Sequence, residues 1–473
     1  MADEAIKAKL DQVYAQHFPD VEAVLSCERL SGGASQETYR IVVKTAEGQV
    51  THAMRRSPGG MMVENVVGHP GLAMEARLMQ VAREAGVPEP EVHYLLSEGD
   101  GVGEGFIMQW IEGEALGARI NRSDEFAALR PELAFACGEI MAKIHAIDLD
   151  TSGLADRLDV MSPEQFVMQT WERYQVLETP QPMIDYAARW LLDHLPKNYT
   201  PSLVHNDFRN GNFMVTKDQI VAVLDWELAH IGDPMRDLGW ICVNSWRFGN
   251  KDPVGGFGSY EDLFQGYESV SGQVVDPDAV KFWEVFGSFW WSVGSLGMAE
   301  HYRNGPDKTV ERPAIGRRSS ECQVDCVNLL IPGAVELVVA PESVSDVDMP
   351  RADELLTSVR DFLRQDVMDG TTGRTNFMAR VASNSLDIVL REWQLGALAK
   401  QQEQKSLENL LAQEGSLSSL RWRLVEEIRS GKRPLADEQL TQHLRNAAVN
   451  QIAIDQPKYT GFKQALETAG KSA

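Results

Sequence analysis

Residues 204–238 read VHNDFRNGNFMVTKDQIVAVLDWELAHIGDPMRDL, and no other stretch constrains the chain as tightly. His205-x-Asp207 is followed by Asn212 five residues after that Asp, and Asp225 closes the apolar run IVAVL. Phosphoryl transfer from ATP needs one carboxylate to orient the attacking hydroxyl. It also needs further oxygen ligands to hold Mg²⁺ against the triphosphate. An Asp and an Asn five apart on a loop, then an Asp behind a strand, supply that set in kinase order. The spacing therefore predicts an ATP-dependent kinase, with Asp207 as base or hydroxyl orienter and Asn212 and Asp225 as Mg²⁺ ligands. Asp and Asn are also ordinary turn residues. Three of them in this order, around a strand, outweigh that reading.

The loop has supporting residues. His205 is expected to brace it by hydrogen bonds, a commoner role for a lone loop histidine than catalysis. Asp237 is expected to support it from the start of the next helix. Arg209, two residues past Asp207, is a candidate to offset developing phosphate charge or touch substrate.

The totals exclude several classes. At 473 residues the chain is too long for one ordinary core, so two or three domains are expected. A net charge of −24, from 45 basic and 69 acidic residues, argues against nucleic acid or an anionic membrane as partner. No segment approaches the ~18 uninterrupted apolar residues of a spanning helix. The N-terminal MADEAIKAKLDQVYAQHF is charged and helical rather than a signal peptide. Five scattered cysteines (Cys27, Cys137, Cys242, Cys322 and Cys326) fit reduced thiols in a cytoplasmic protein.

Along the chain, three short β-type runs between Val24 and Met54, with turns at Gly32-Gly33 and Glu47-Gly48, predict an antiparallel sheet. A helix over 70–86 and two more strands, VHYLLSE and GFIMQWI, complete an N-terminal lobe over 1–113. From 114 to 335 the pattern is mostly helical. It includes 131–147, a helix capped by Ser162 with Pro163 in its first turn, 185–195, the Trp-rich 280–302 and 319–330. Residues 336–350 read as a linker, and 351–473 as a separate all-α accessory domain. One of its helices is expected from about Lys405 to Arg429. The expected fold is α+β: a β-rich lobe and a helical lobe, followed by the all-α domain.

His205-Asn-Asp207-x-x-x-Gly211-Asn212, Leu224-Asp225-Trp226-Glu227 and Gly232-Asp233-Pro234-x-x-Asp237-Leu238 together resemble the aminoglycoside-phosphotransferase family, over roughly residues 24–330. That family is a small-molecule branch of the two-lobed protein-kinase-like fold. Asp-Trp-Glu in place of Asp-Phe-Gly favours it over eukaryote-type protein kinases. The resemblance implies ATP and Mg²⁺ as cofactors and sets further residues in roles. Ser31, Gly32, Gly33 and Ser35 would lie in the phosphate-covering hairpin. Arg55 stands where the phosphate-binding lysine is usual, with Glu75 as its helix partner; a guanidinium fork and an ammonium are not interchangeable. Gln109, Trp110 and Ile111 would form the interlobe hinge whose backbone binds adenine.

Met54-Arg55-Arg56-Ser57-Pro58-Gly59-Gly60 resembles a run in the subgroup that includes kinase domains fused to some acyl-CoA dehydrogenases. The subgroup implies a hydroxyacyl-CoA, or the related hydroxy acid, as acceptor. The C-terminal region resembles a small helical domain found beside such kinases, and a homodimer through it is one expectation. There Arg374, Arg380 and Asn384 are the most prominent polar residues, expected to serve helix packing. Trp283, Trp290 and Trp291 are candidates for an acyl channel, though core packing is the commoner role. Arg317 and Arg318 are candidate phosphate binders for CoA. Two rivals stand beside this reading: antibiotic O-phosphorylation, which an acidic pocket would favour, and a nucleotide-binding pseudokinase scaffold, for which only Arg55 speaks.

Overall fold

The computed structural model describes residues 2–30, 36–58, 69–340 and 349–471, which form two compact units. The first comprises residues up to 162, 197–242 and 246–283. It opens with helix α1 (Ala2–His17) and the strands β1 (Val21–Arg29), β2 (Glu37–Thr45) and β3 (Gly48–Arg56). After α2 (Leu72–Glu84), β4 (Val92–Leu96) and β5 (Gly105–Gln109) complete a five-stranded antiparallel sheet of order β1-β2-β3-β5-β4. Side chains alternate across a strand, so Tyr39, Ile41, Val43, Met54 and Ile107 pack with Leu10, Val13 and Tyr14 of α1. Ala53, Phe106 and Met108 point the other way, into the larger core that contains Leu72, Ala76 and Met79 of α2. Arg55 shares a face with Ala53, and that parity aims it at α2.

The remainder of this unit is α3 (Gly117–Arg122), α4 (Arg130–His145), two small antiparallel pairs, α7 (Met235–Cys242), α8 (Tyr260–Ser271) and the first residues of α9 (Pro277–Asn304). The pairs join β6 (Ser202–Val204) with β9 (His230–Gly232), and β7 (Phe213–Val215) with β8 (Ile220–Val223). Helices α4 and α8 cross closely at Gly138 and Gly266. A Cβ there would fall 2.2 Å from the Leu263 carbonyl oxygen and 2.0 Å from that of Phe135. This unit holds the β-rich lobe and part of the helical lobe of the expected α+β fold.

The second unit is all-α and gathers 163–196, 243–245 and everything after Glu284. It contains α5 (Pro163–Gln175), α6 (Pro182–Asp193), the rest of α9, α10 (Glu311–Arg317) and α11 (Ser319–Leu330). Beyond these lie α12 (Ala352–Phe362), a π-helical turn into α13 (Met368–Gly370), α14 (Gly373–Leu411), α15 (Leu417–Arg429), α16 (Glu438–Asp455) and α17 (Thr460–Lys471). Its division of the chain differs from the contiguous segments expected from sequence. Helix α6 packs on α15, and α11 packs on α16 and α17, so the C-terminal helices share a core with helices of the 163–330 region. Fully buried Asp185 of α6 shows the connection: it accepts from Trp171 Nε1 at 2.8 Å, Tyr174 Oη at 3.1 Å and Arg429 Nε at 2.6 Å. Helical periodicity marks an apolar face but does not say which later helix covers it.

Two further expectations change. The described part of the 336–350 linker is strapped to α16, through Glu336 N to Asn446 Oδ1 and Val338 N to Asn450 Oδ1, both at 2.9 Å. The helix expected from Lys405 is instead the end of the 39-residue α14, which stops where Ala412 turns left-handed at φ 50°.

Candidate active site

Asp207 lies on the loop between β6 and β7, and α7 holds that loop from below. Asp237 of α7 accepts from His205 N at 2.9 Å, Asn206 N at 2.7 Å and His145 Nε2 at 3.0 Å. His145 meets Tyr267 Oη at 3.1 Å through its other ring nitrogen. Burial would raise the pKa of Asp237, but these hydrogen bonds and the nearby imidazoles hold it below the usual carboxylate range. Burial pushes His205 down, keeping it neutral. Its Nδ1 accepts from Asp207 N at 3.3 Å and its Nε2 donates to the Leu224 carbonyl at 3.1 Å, a tautomer assigned from those contacts. His205 thus spans from the Asp207 backbone to the residue preceding Asp225.

Four donors surround the Asp207 carboxylate. Arg209 Nε and Nη2 reach Oδ1 at 3.0 Å and Oδ2 at 3.3 Å; Asn212 Nδ2 reaches Oδ2 at 2.5 Å; Trp240 Nε1 reaches Oδ1 at 2.7 Å. The Arg209 guanidinium stacks on the Trp246 ring, 4.3 Å from its centroid. Asn212 spends its NH₂ on Asp207, its Nδ2 also meeting the Asp207 carbonyl at 3.0 Å. Its carbonyl oxygen is the atom a hard cation would take.

Asp225 is left-handed at φ 71° behind β8, and its carboxylate accepts from Arg55 Nη2. The same guanidinium meets Glu75 Oε1 at 3.1 Å and Glu227 Oε2 at 4.0 Å, and Arg55 Nε donates to Gln36. Burial alone would lower the pKa of Arg55, but the facing carboxylates of Glu75, Asp225 and Glu227 raise it above its usual value. Burial pushes Glu75 up to about 7 even with Arg55 beside it. Trp226 is fully buried and donates to Glu89, whose carboxyl burial also raises well above its usual range. The Leu224 N to Asn212 O bond, 2.7 Å, ties the Asp225 end to the Asp207 loop.

Asp207, Arg209, Asn212, Asp225, Arg55 and Glu75 therefore belong to one hydrogen-bonded region. Gln109 ends β5 and Trp110 and Ile111 follow it directly; β5 pairs with β3 and so with Arg55. The bridge between Glu114 and Val215 then joins the segment after these residues to β7. Ser31, Gly32, Gly33 and Ser35 lie outside the described residues. Asn212 and Asp225 give two protein oxygens of the type Mg²⁺ takes, a set that phosphate oxygens and water would have to complete. Among the described residues no cluster of three His, Cys, Asp or Glu side chains could hold a metal alone.

Several other residues take structural places. Trp283 is buried and donates to Asp233 at 2.8 Å, a core position, while Trp290 and Trp291 are half-buried in the second unit. There Arg317 pairs with Asp455 and Glu392, and Arg318 with Glu321. Arg380 meets Asn376, and Asn384 meets Arg364. Sequence reasoning missed Trp240, Trp246, Gln36 and Glu89. Trp240 lies one helical turn past Asp237 on α7, but nothing in that spacing marks it as a donor to Asp207.

A family model described as "Phosphotransferase enzyme family" matches residues 26–274, more than half of the chain. The chain belongs to the phosphotransferase enzyme family. As a member it is an ATP-dependent phosphotransferase. A second model, described as a domain of unknown function, matches 369–459. Acyl-CoA dehydrogenase family member 10 of Mus musculus is 31% identical over 222 residues, which are 45% of this chain and 20% of that protein. Family member 11 of Gallus gallus is 29% identical over 233 residues, 47% of this chain and 28% of that one. The chain thus spans less than a third of these relatives. A crystal structure of a candidate aminoglycoside phosphotransferase from Ralstonia eutropha, 24% identical, aligns with a TM-score of 0.54 over 67% of this chain and 95% of its own, a likeness of fold.

Proposed function

We propose that this phosphotransferase uses Mg²⁺-ATP to phosphorylate a hydroxyl of an anionic small molecule, a hydroxyacyl-CoA or the corresponding hydroxy acid. The carrying observation is the Asp207 carboxylate, held by donors at both oxygens beside the Arg55–Glu75–Asp225 cluster. Asp207 takes the acceptor proton as the oxygen–phosphorus bond forms and the bond to the ADP oxygen breaks. Arg55 is set to bind nucleotide phosphates. Asn212 Oδ1 and the Asp225 carboxylate are the Mg²⁺ ligands. The ion, when bound, neutralises charge on the phosphate oxygens.

The acceptor class rests on charge and on the relatives. Arg209 covers the base, and Arg247 and Arg122 sit on the neighbouring 242–248 backbone, donating to the Cys242 and Phe248 carbonyls. Beside the carboxylates of Asp207, Asp225, Glu75 and Glu227, these arginines are the groups that would meet a carboxylate or a CoA phosphate. Two relatives are named as acyl-CoA dehydrogenase family members, which suits a CoA-linked acceptor. Incubating the protein with Mg²⁺ and γ-labelled ATP against hydroxyacyl-CoAs, free hydroxy acids and aminoglycosides tests this. Label is expected in the first two and lost with Asp207→Asn. Label only in aminoglycosides overturns the acceptor class, and equal activity of the variant overturns the role of Asp207.

A cytoplasmic, homodimeric protein is part of the same proposal. On α12, Leu355, Val359 and Phe362 form a stripe more than half exposed. Residues 351–393 carry six basic and seven acidic side chains, nearly neutral in a chain of net charge −24. An apolar face on a charge-balanced segment is where two such acidic chains repel each other least. Light scattering is expected to give twice the chain mass, halved by Val359→Glu.

A further inference from the structure

Asp207 accepts four hydrogen bonds, about as many as a carboxylate has lone-pair positions. An acceptor hydroxyl needs one of them, so a donor must yield. Arg209 is the one able to move: its side chain is long, 23% exposed, and stacked on the face of Trp246. Trp240 is its opposite, at 1% exposure. The Trp240 indole lies edge-on to Trp246, with ring centroids 5.1 Å apart, and under the guanidinium of buried Arg236, 4.7 Å from its ring centroid.

The position of Trp240 on α7 gives the contact its meaning. Asp237 and Trp240 are three residues apart, hence neighbours on one face of the helix. Asp237 fixes the backbone at His205 and Asn206, and Trp240 fixes the carboxylate of the next residue. One helical turn thereby sets both the path of the loop and the rotation of the Asp207 carboxylate. An indole N–H donates and does not accept, so it can hold Oδ1 without competing for the transferred proton.

We infer that Trp240 is a positioning residue for phosphotransfer, holding Asp207 Oδ1 so that Oδ2 meets the acceptor hydroxyl when Arg209 moves aside. The inference rests on the proposed role of Asp207. Nothing in the loop motif encodes it, since the donor lies 33 residues further on.

Its test compares Trp240→Phe, which keeps an aromatic ring without a donor, with Trp240→His, which packs worse but keeps a ring N–H. Both are measured alone, beside Asp207→Asn, and as the Trp240→Phe/Asp207→Asn double variant. Trp240→Phe is expected to lower kcat about 10- to 100-fold, the range for a hydrogen bond to a charged group. KM for Mg²⁺-ATP is expected to stay within about twofold, and Trp240→His to retain more kcat than Trp240→Phe. In the Asp207→Asn background Trp240→Phe should cost little more. A packing role predicts the reverse order of the two variants and an equal loss in both backgrounds, and either result overturns the inference. So does a kcat for Trp240→Phe within twofold of the native value. An Asp207→Asn protein as active as the native one instead overturns the role of Asp207, which separates the two failures.

Discussion

Arg55 and Asp225, 170 residues apart in the chain, are joined side chain to side chain, and Glu75 closes on the same guanidinium at 3.1 Å. In its proposed role Asp225 serves a cation, so the arginine that now occupies it would have to let go as the metal and phosphates arrive. An arginine fork can face two carboxylates and Gln36 together; a lysine ammonium offers one point charge.

Arg55→Met leaves Glu75 buried with no cation beside it. Removing one partner of a buried pair costs about 3–5 kcal/mol. Part of that is relieved because Glu75 can take up a proton. We expect a loss near the lower figure in urea unfolding at pH 8, and a smaller one for Arg55→Lys. An unchanged midpoint for Arg55→Met would show that the cluster adds nothing to stability.

The Glu75 carboxyl, pushed up to about 7 by burial, titrates in the working range. Below that pH it is protonated and draws less on Arg55, which stays on Asp225 and opposes metal–nucleotide binding. KM for Mg²⁺-ATP should therefore fall as pH rises through about 7. Glu75→Gln should flatten the profile, and an inflection that survives in the variant would assign it to another group.

Asp237→Asn places an amide NH₂ against donors that now meet a carboxylate. Leaving buried donors and a charge-assisted network unsatisfied costs about 1–3 kcal/mol per group. A melting temperature lower by several degrees and a large fall in kcat are expected together. A kcat loss at native stability would mean that Asp237 acts on chemistry and not on loop shape.

His230 and His443 are buried, and burial lowers each to about 4. The unfolded chain binds these protons near 6.5, so stability is full above that pH and is lost as pH falls toward 4. Each accounts for about 3 kcal/mol. Urea unfolding at pH 7 and pH 4.5 measures the fall, and His443→Gln should remove the share due to His443.

The sheet, the loop and the Asp207, Asn212 and Asp225 positions were legible because each depends on local spacing. Strand parity even places Arg55 on the α2 side, facing Glu75. Trp240 was not legible, because a tryptophan that donates to a carboxylate looks the same in sequence as one that fills a core. The partners of α6 and α11 were hidden for a related reason. Their apolar faces are plain at Met183, Ile184, Ala187, Leu191, Cys322 and Val324, but pattern does not name what lies opposite.

The interleaving of the two units has a consequence for dissection and for ancestry. The match to the phosphotransferase family ends at 274 and the match to the helical domain begins at 369, yet 163–196 and 243–245 belong to the second unit. No single cut releases a clean catalytic fragment. Deleting the chain beyond about 335 would strip the cover from α6 and α11 and yield an insoluble remnant. A gene fusion that gained or lost the C-terminal helices would have to remake the surface of those two helices at the same time.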